Sequence, residues 1–373
     1  MKQRASVLAW RIWDIRSALE QEGAVFVRNP AYGMEIHPYL TRFKDCWYVG
    51  LNDFSRRGTR IIRSRDGINW ETLPDPFPKG KRFSITANGE LMLNTLLGDP
   101  RPGQGLHGDQ KCSCTWLSKD GAGWEGPFKD NGLNTLRWDV TWHNGRGYSL
   151  AYTGKDAAGT LYATDDGKTW QALAREVFPE CHRAGYEEAS LAFEPSDGTA
   201  HAVVRAKSVY AIIGRAEPPY TRWRWRDARA VVHEKRAYET GREDGRKVVK
   251  IHKPLPPQPA QQLFGPQMGG PKLIRLSDGR FLAAGRSDAT SAYEVRPWSL
   301  SRIDLFELDP RTAVLTRLAR LDGFGHYPGI VEHEGKVWVS CARWVGERPE
   351  VCMVVVELNQ APATGPKAPD GAA

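Results

Sequence analysis

One pattern, S/T-x-D-G-x-x-W, occurs three times in this chain, and it limits the possible fold more than any other feature. The copies begin at Ser64, Ser118 and Thr164 and end at Trp70, Trp124 and Trp170, so their starts lie 54 and 46 residues apart. A hydroxyl, a carboxylate and a glycine in four positions suit a β-hairpin turn. The Ser/Thr and Asp side chains bond backbone N–H groups, the glycine takes a positive φ, and the tryptophan anchors the returning strand. A period of roughly 50 residues built on strand-like segments is the signature of a β-propeller, in which each repeat is one blade.

Six blade-sized units follow. The first carries Tyr39 to Phe43, Cys46 to Leu51 and the turn at Ser64. The second runs from Phe83 through Leu91 to the turn at Ser118, and the third from Asp139 through Tyr148 to the turn at Thr164. The fourth begins at Glu188 and turns at Asp197-Gly198; the fifth begins at Pro271 and turns at Asp278-Gly279. The sixth spans Tyr327 to Leu358. The tight Asp-Gly turns between alternating segments are hairpin signals. The expected architecture is therefore all-β: a six-bladed propeller of four-stranded antiparallel blades over 37–358, preceded by an N-terminal segment, 1–36, and followed by a disordered tail, 359–373. In the N-terminal segment Trp10 to Glu22 reads as a short helix, and Val25 to Val27 as a strand that closes the ring. Residues 229–262 form a charged, then proline-rich insertion between blades four and five, read either as a solvated hairpin or loop or as a lid or partner-docking element beside the pocket.

With 52 Lys and Arg against 44 Asp and Glu, the 373-residue chain carries a formal charge of +8. Its basic residues are scattered, which fits an ordinary basic surface or attraction to an anionic substrate rather than nucleic acid. No apolar run reaches the ~18 residues of a transmembrane helix, and Arg11, Asp14 and Arg16 interrupt the apolar start, so a cytoplasmic location is expected for the chain as written, and an extracellular or periplasmic one if the true N-terminus lies upstream. Cys112 and Cys114 share a strand face but lack a second pair to complete a zinc site, and Cys341 and Cys352 face each other across the last hairpin.

Propellers place function at one mouth of the central channel, where first strands begin and second strands end. Counting seven residues from the hairpin glycines gives Arg205 (from Gly198), Arg286 (from Gly279) and Tyr152 (from Gly145); the same count from Cys46 gives Asp53. In blade six the count reaches Ala342, which leaves Arg343 offset by one. The first-strand starts add His37, Asp139, Glu187-Glu188 and His326-Tyr327. Two arginines held together repel each other, so an anion, or a carboxylate of the protein, is required between them.

The turn repeats, the six units and the order Glu188, Arg205, Arg286, Tyr327 resemble the sialidase superfamily, in which the repeated turn is called the Asp box. The segments Val140-Thr141-Trp142-His143, Pro218-Pro219-Tyr220-Thr221, Gly269-Gly270-Pro271, Ala284-Gly285-Arg286 and Tyr327-Pro328-Gly329 are similar to bacterial sialidase-like proteins. The resemblance covers 36–358. It implies a carbohydrate or glycoconjugate substrate, no metal or cofactor, Tyr327 as nucleophile and Glu188 as its base. It also implies arginines on the substrate carboxylate and an aspartate as acid. Sialidases depart from the two-carboxylate rule for glycoside hydrolysis, and a phenol with a pKa near 10 needs a base and cationic surroundings to attack. Asp53 is the best match for the acid, with Asp99 and Asp109 behind it. The chain departs from the family at Ile36-His37-Pro38, where an arginine precedes the Ile-Pro, and at Gly325-His326, where a Cys-Ser is common. Two functions are thus expected: a hydrolase of a terminal, acidic sugar, or a non-catalytic carbohydrate-binding or interaction propeller.

Overall fold

A computed structural model describes residues 5–11, 28–29, 33–34, 38–53, 58–67, 69–73, 82–97, 112–129, 135–152, 156–179, 185–206, 210–231, 238–243, 246–251, 263–266, 268–287, 302–324, 327–345 and 348–358. It is all-β, with six antiparallel blades in a propeller ring. Blade one holds Tyr39–Phe43, Cys46–Asp53, Gly58–Ser64 and Glu71–Thr72. Blade two holds Arg82–Ile85, Leu91–Leu97, Cys112–Ser118 and Glu125–Lys129. Blade three has Thr141–His143, Arg146–Tyr152, Thr160–Thr164 and Gln171–Arg175, with Leu136–Arg137 paired to its second strand. Blade four has Tyr186–Phe193, Ala200–Ala206, Ile212–Ala216 and Arg224–Asp227. Blade five is built on Gly269–Arg275, Phe281–Ser287, Arg302–Asp309 and Val314–Phe324, and blade six on Gly329–His333, Lys336–Val345 and Arg348–Leu358.

The last blade is completed from the other end of the chain. Ala5–Arg11 pairs antiparallel with Arg348–Leu358, in register from Ala5↔Leu358 to Arg11↔Cys352. The ring-closing strand is therefore Ala5–Arg11. Trp10 and Arg11, expected at the start of a helix, lie in that strand, and Val25 to Val27 lies outside the described residues. The described residues of the inserted segment are strands. Arg229–Val231 runs parallel to Val314–Phe324 at the outer side of blade five, and the hairpin Tyr238–Glu243 with Arg246–Ile251 extends blade six beyond Ala5–Arg11. Blade six thereby reaches six strands, and blade five does so with Leu263–Phe264, which pairs antiparallel with Arg229–Val231. Cys341 and Cys352 are direct partners across the last hairpin.

Second strands such as Ala200–Ala206 and Phe281–Ser287 are buried along their whole length, because neighbouring blades cover both faces. Such strands read as continuous apolar runs rather than alternating ones. Packing between blades is aromatic: Trp47 of blade one lies 4.5 Å from Trp338 of blade six, and His201 of blade four meets Phe281 of blade five at 4.8 Å.

The three repeated turns share one geometry. Ser64, Ser118 and Thr164 each accept the N–H of the glycine three residues on, at 2.9, 2.8 and 2.8 Å. Asp66, Asp120 and Asp166 accept backbone N–H groups further along the turn. Each turn joins a third strand to a fourth. Because antiparallel strands reverse at every turn, the three turns share the end of the ring where first strands finish, opposite the end where first strands begin.

Candidate active site

Three backbone irregularities converge at the end where first strands begin. In blade four, Glu187 pairs with Arg205 and Ala189 with Val204, so Glu188 is the extra residue of a β-bulge, with φ +40°. In blade five, Gly269 pairs with Arg286 and Lys272 with Ala284, which makes Gly270-Pro271 a second bulge, with Gly270 at φ +56°. Just before the first strand of blade six, Tyr327 takes φ +54°. Bulges re-aim side chains and cluster at functional positions. A positive φ on Glu or Tyr is costly and persists only where the surroundings fix it. Here the surroundings do: a Cβ at Gly270 would lie 1.4 Å from Tyr327 Cδ1.

The result is a buried network. The Tyr327 hydroxyl donates to Glu188 Oε1 at 2.6 Å, Arg205 Nη1 pairs with the same oxygen at 2.9 Å, and the Gly270 N–H donates to Oε2 at 2.8 Å. Glu187 Oε2 stands 3.6 Å from Arg205 Nη1, and the Arg286 guanidinium lies 6.0 Å from the Tyr327 ring centroid. Trp138 meets Tyr327 edge to face at 5.1 Å. Glu188, Arg205, Arg286 and Tyr327 are all buried.

Burial pushes the Glu188 carboxyl up, but the Arg205 charge, the Tyr327 hydrogen bond, the Arg286 charge and the Gly270 N–H outweigh it and hold the group below the usual 4.5. For Tyr327, burial and then the Glu188 charge raise the phenol well above 10, against the lowering pull of Arg286 and Arg205. At rest the proton therefore sits on Tyr327 and Glu188 is ionised. Burial and then repulsion from Arg205 bring Arg286 down to about 10, which leaves it charged at neutral pH. An ionised carboxylate bonded to a phenol beside two cations can take the phenolic proton when an electrophile approaches the oxygen.

Of the residues read from the sequence, Tyr327, Glu188, Arg205 and Arg286 come together. Tyr152 lies beside them: it is buried 6.4 Å from Trp138, and the charges of Glu188 and Glu187 add to burial in raising its phenol. Asp139 does not belong to the open mouth. Its carboxylate is 1% exposed, accepts from Ser190 Oγ at 2.6 Å and pairs with Lys272 Nζ at 2.8 Å. Burial is outweighed there by the Lys272 and Arg82 charges and the hydrogen bonds, so its pKa falls below 3.8. One carboxylate thus ties blades three, four and five as a buried ion pair. Asp53 ends the second strand of blade one, its backbone paired with Gly58, and the Arg343 backbone pairs with Glu350. Their side chains, and His37, His326, Asp99 and Asp109, lie outside the described residues.

Arg82, Trp138 and Gly270 join the site without having been singled out as site residues from the sequence. Arg82 opens the first strand of blade two, at the same strand end near which Glu188 and Tyr327 stand in blades four and six, and that shared end is the signal that could have found it. Its guanidinium stacks over Tyr39 at 4.4 Å and Trp138 at 4.6 Å. Among the described residues, no group of three His, Cys, Asp or Glu side chains has the geometry of a metal site, and no helix is long and apolar enough to cross a membrane.

No family model matches the sequence, and no curated protein does. Solved structures do match. A mutant of Trypanosoma rangeli sialidase displaying trans-sialidase activity aligns with a TM-score of 0.56 at 10% identity, over 89% of this chain and 56% of that one. Trypanosoma rangeli sialidase as a covalent intermediate with 2,3-difluorosialic acid gives 0.55 at 11% identity, over 89% and 56%. The same sialidase with the inhibitor DANA gives 0.55 at 12% identity, over 89% and 59%. The chain thus spans little more than half the length of these enzymes. At such identities the likeness is one of fold: the ring is a six-bladed β-propeller, as in these structures.

Proposed function

We propose that the chain is a sialidase-like glycoside hydrolase acting on a terminal, acidic sugar of a glycoconjugate. The observation that carries this reading is the 2.6 Å hydrogen bond from the Tyr327 hydroxyl to Glu188, buried between Arg205 and Arg286. In the proposed reaction Tyr327 Oη attacks the anomeric carbon while its proton passes to Glu188. The leaving oxygen takes a proton from an acid, for which Asp53 is the candidate, standing at the channel-mouth end of its strand. Water then attacks the anomeric carbon and returns its proton to that acid, and the departing phenolate recovers its own from Glu188. The arginines hold the sugar carboxylate and stabilise charge as it develops.

A binding propeller is the second reading, favoured by one observation: the Tyr327–Glu188 pair is closed off, the tyrosine 8% and the glutamate 4% exposed. The test separates the two. A panel of aryl glycosides, including sialosides and uronides, should reveal turnover by the wild-type protein. Tyr327→Phe should then lower kcat by roughly a thousandfold or more with little change in ligand affinity, because the hydroxyl acts mainly in the transition state. Glu188→Gln should be similarly damaging, and the double variant scarcely worse. Turnover that survives Tyr327→Phe refutes the nucleophile. A wild type that binds the sugars and turns none over establishes the binder.

A further inference from the structure

The outer edge of blade four carries a charge pattern that the proposed chemistry does not use. Its last strand, Arg224–Asp227, pairs with Ile212–Ala216, and among the described residues nothing pairs with its far side. The sequence there alternates as Arg222-Trp223-Arg224-Trp225-Arg226, and a strand sends alternate side chains to opposite faces. Trp223 and Trp225 stack at 5.2 Å on the face toward blade three, where the Trp225 indole lies 5.7 Å from Phe178 and donates to the Val177 carbonyl. Both tryptophans are half-buried. Arg224 and Arg226 share the opposite face, toward blade five, where Arg226 Nη1 donates to the Arg311 carbonyl at 2.8 Å.

Arg215 of the neighbouring strand stands directly opposite Arg224. Like charges in that relation destabilise a sheet. Glu217 pairs with Arg215 at 3.3 Å, whereas exposed Arg222, Arg224 and Arg226 have no ion pair among the described residues. Charge by itself is an ordinary guard on an edge strand. The other outer edges carry it mixed or paired: Glu71 of blade one meets Arg63, Glu125–Lys129 of blade two holds both signs and Pro127, and Arg175 of blade three reaches Asp156 at 3.8 Å. Blades five and six are extended by the inserted strands. Blade four keeps opposed and unpaired cations on one face, beside an open backbone edge.

That combination selects the partner. Residues on one face of a strand repeat about every 7 Å, and a strand added at the edge repeats at the same spacing. We propose that the outer edge of blade four binds an extended protein segment in which acidic and apolar residues alternate. The segment adds as a further strand beside Arg224–Asp227, its backbone completing the open edge. Its carboxylates then share the face of Arg224 and Arg226, where the planar guanidinium matches them, and its apolar side chains lie beside Trp223 and Trp225. An acidic polysaccharide or a nucleic acid would use the charge but neither the backbone edge nor the alternation. The proposal is independent of the reading of the pocket as a sugar site.

Fluorescence anisotropy of the full chain with a short labelled peptide of alternating Glu and Val tests it, against a peptide of the same composition with the Glu residues grouped at one end. The alternating peptide should bind about tenfold or more tighter than the grouped one. N-methylation of its alternate amides keeps the charge, blocks the ladder and should abolish binding. Arg224→Gln should weaken binding by roughly fivefold or more, and Arg224→Glu with Arg226→Glu should abolish it. Should the double charge reversal fail to fold, Arg224→Gln with Arg226→Gln serves in its place. Because Arg224→Gln removes one of two opposed cations, it should unfold at or above the wild-type temperature, a result that a merely structural arginine would not give. A grouped peptide, heparin or single-stranded DNA that binds as tightly as the alternating peptide overturns strand addition and leaves a general polyanion surface. An alternating peptide that does not bind, or whose binding survives both the arginine variants and N-methylation, overturns the proposal outright.

Discussion

Gly270 supports the two residues proposed for catalysis through its backbone alone. Its N–H holds Glu188 Oε2 at 2.8 Å, and its missing side chain leaves room for the Tyr327 ring. Gly270→Ala should therefore cost the φ strain, about 1–3 kcal/mol, and also displace Tyr327, with kcat falling by about a hundredfold or more. Gly89 is the control: it has φ +72° but nothing within 4 Å of a Cβ, so Gly89→Ala should show the strain in thermal unfolding and leave kcat unchanged. If both variants lose activity alike, the steric role of Gly270 is wrong. Register counting from the hairpin glycines placed Arg205 and Arg286 at one level, because a hairpin fixes the distance from its turn. The bulges at Glu188 and Gly270 were not legible, since a bulge is decided by pairing between strands and leaves no period in either one. Arg82 was missed for a related reason: Lys81-Arg82-Phe83 looks like any basic strand start, and only the ring brings it beside Trp138.

The repeated turns belong to the scale of the element. They were the most legible part of the chain, because Ser64 and Asp66 bond each other, Gly67 and Asn69 within the turn itself. Each aspartate accepts backbone N–H groups in a turn far from the pocket. Asp66→Ala, Asp120→Ala and Asp166→Ala should each lower stability by about 1 kcal/mol per lost hydrogen bond, add independently because they sit on separate blades, and leave kcat and KM untouched. Urea unfolding of the single and triple variants checks this, and a triple variant with reduced kcat would show that the turns reach the site. The ring-closing strand is the opposite case. Ala5–Arg11 finds its partner more than three hundred residues away, at Arg348–Leu358, and the local pattern around Trp10 reads as helix. Long-range pairing overrides local pattern there, as it does for the inserted hairpin that joins the same sheet.

At the scale of the whole molecule, stability depends on carboxylates buried where blades meet the channel. Asp139 joins blades three, four and five through Ser190 and Lys272, and Glu188 joins blades four, five and six through Arg205, Gly270 and Tyr327. Both groups titrate in the folded protein below their usual values of 3.8 and 4.5. The unfolded chain therefore binds more protons than the folded one across the carboxylate range, and stability rises with pH through that range. The stabilisation is fully present above the unfolded values and disappears as pH falls through the folded ones. Unfolding free energies measured in urea from pH 7 to pH 3 should be level at neutral pH and drop steeply below pH 4.5. Asp139→Asn leaves Lys272 without its counter-charge, so it should cost about 3–5 kcal/mol at pH 7. It should also flatten the acid slope, because one of the groups that drives it is gone, and the variant and wild-type curves should converge toward pH 3. Parallel curves at all pH values would mean that Asp139 is not ionised in the fold, and that the blades are held together without its charge.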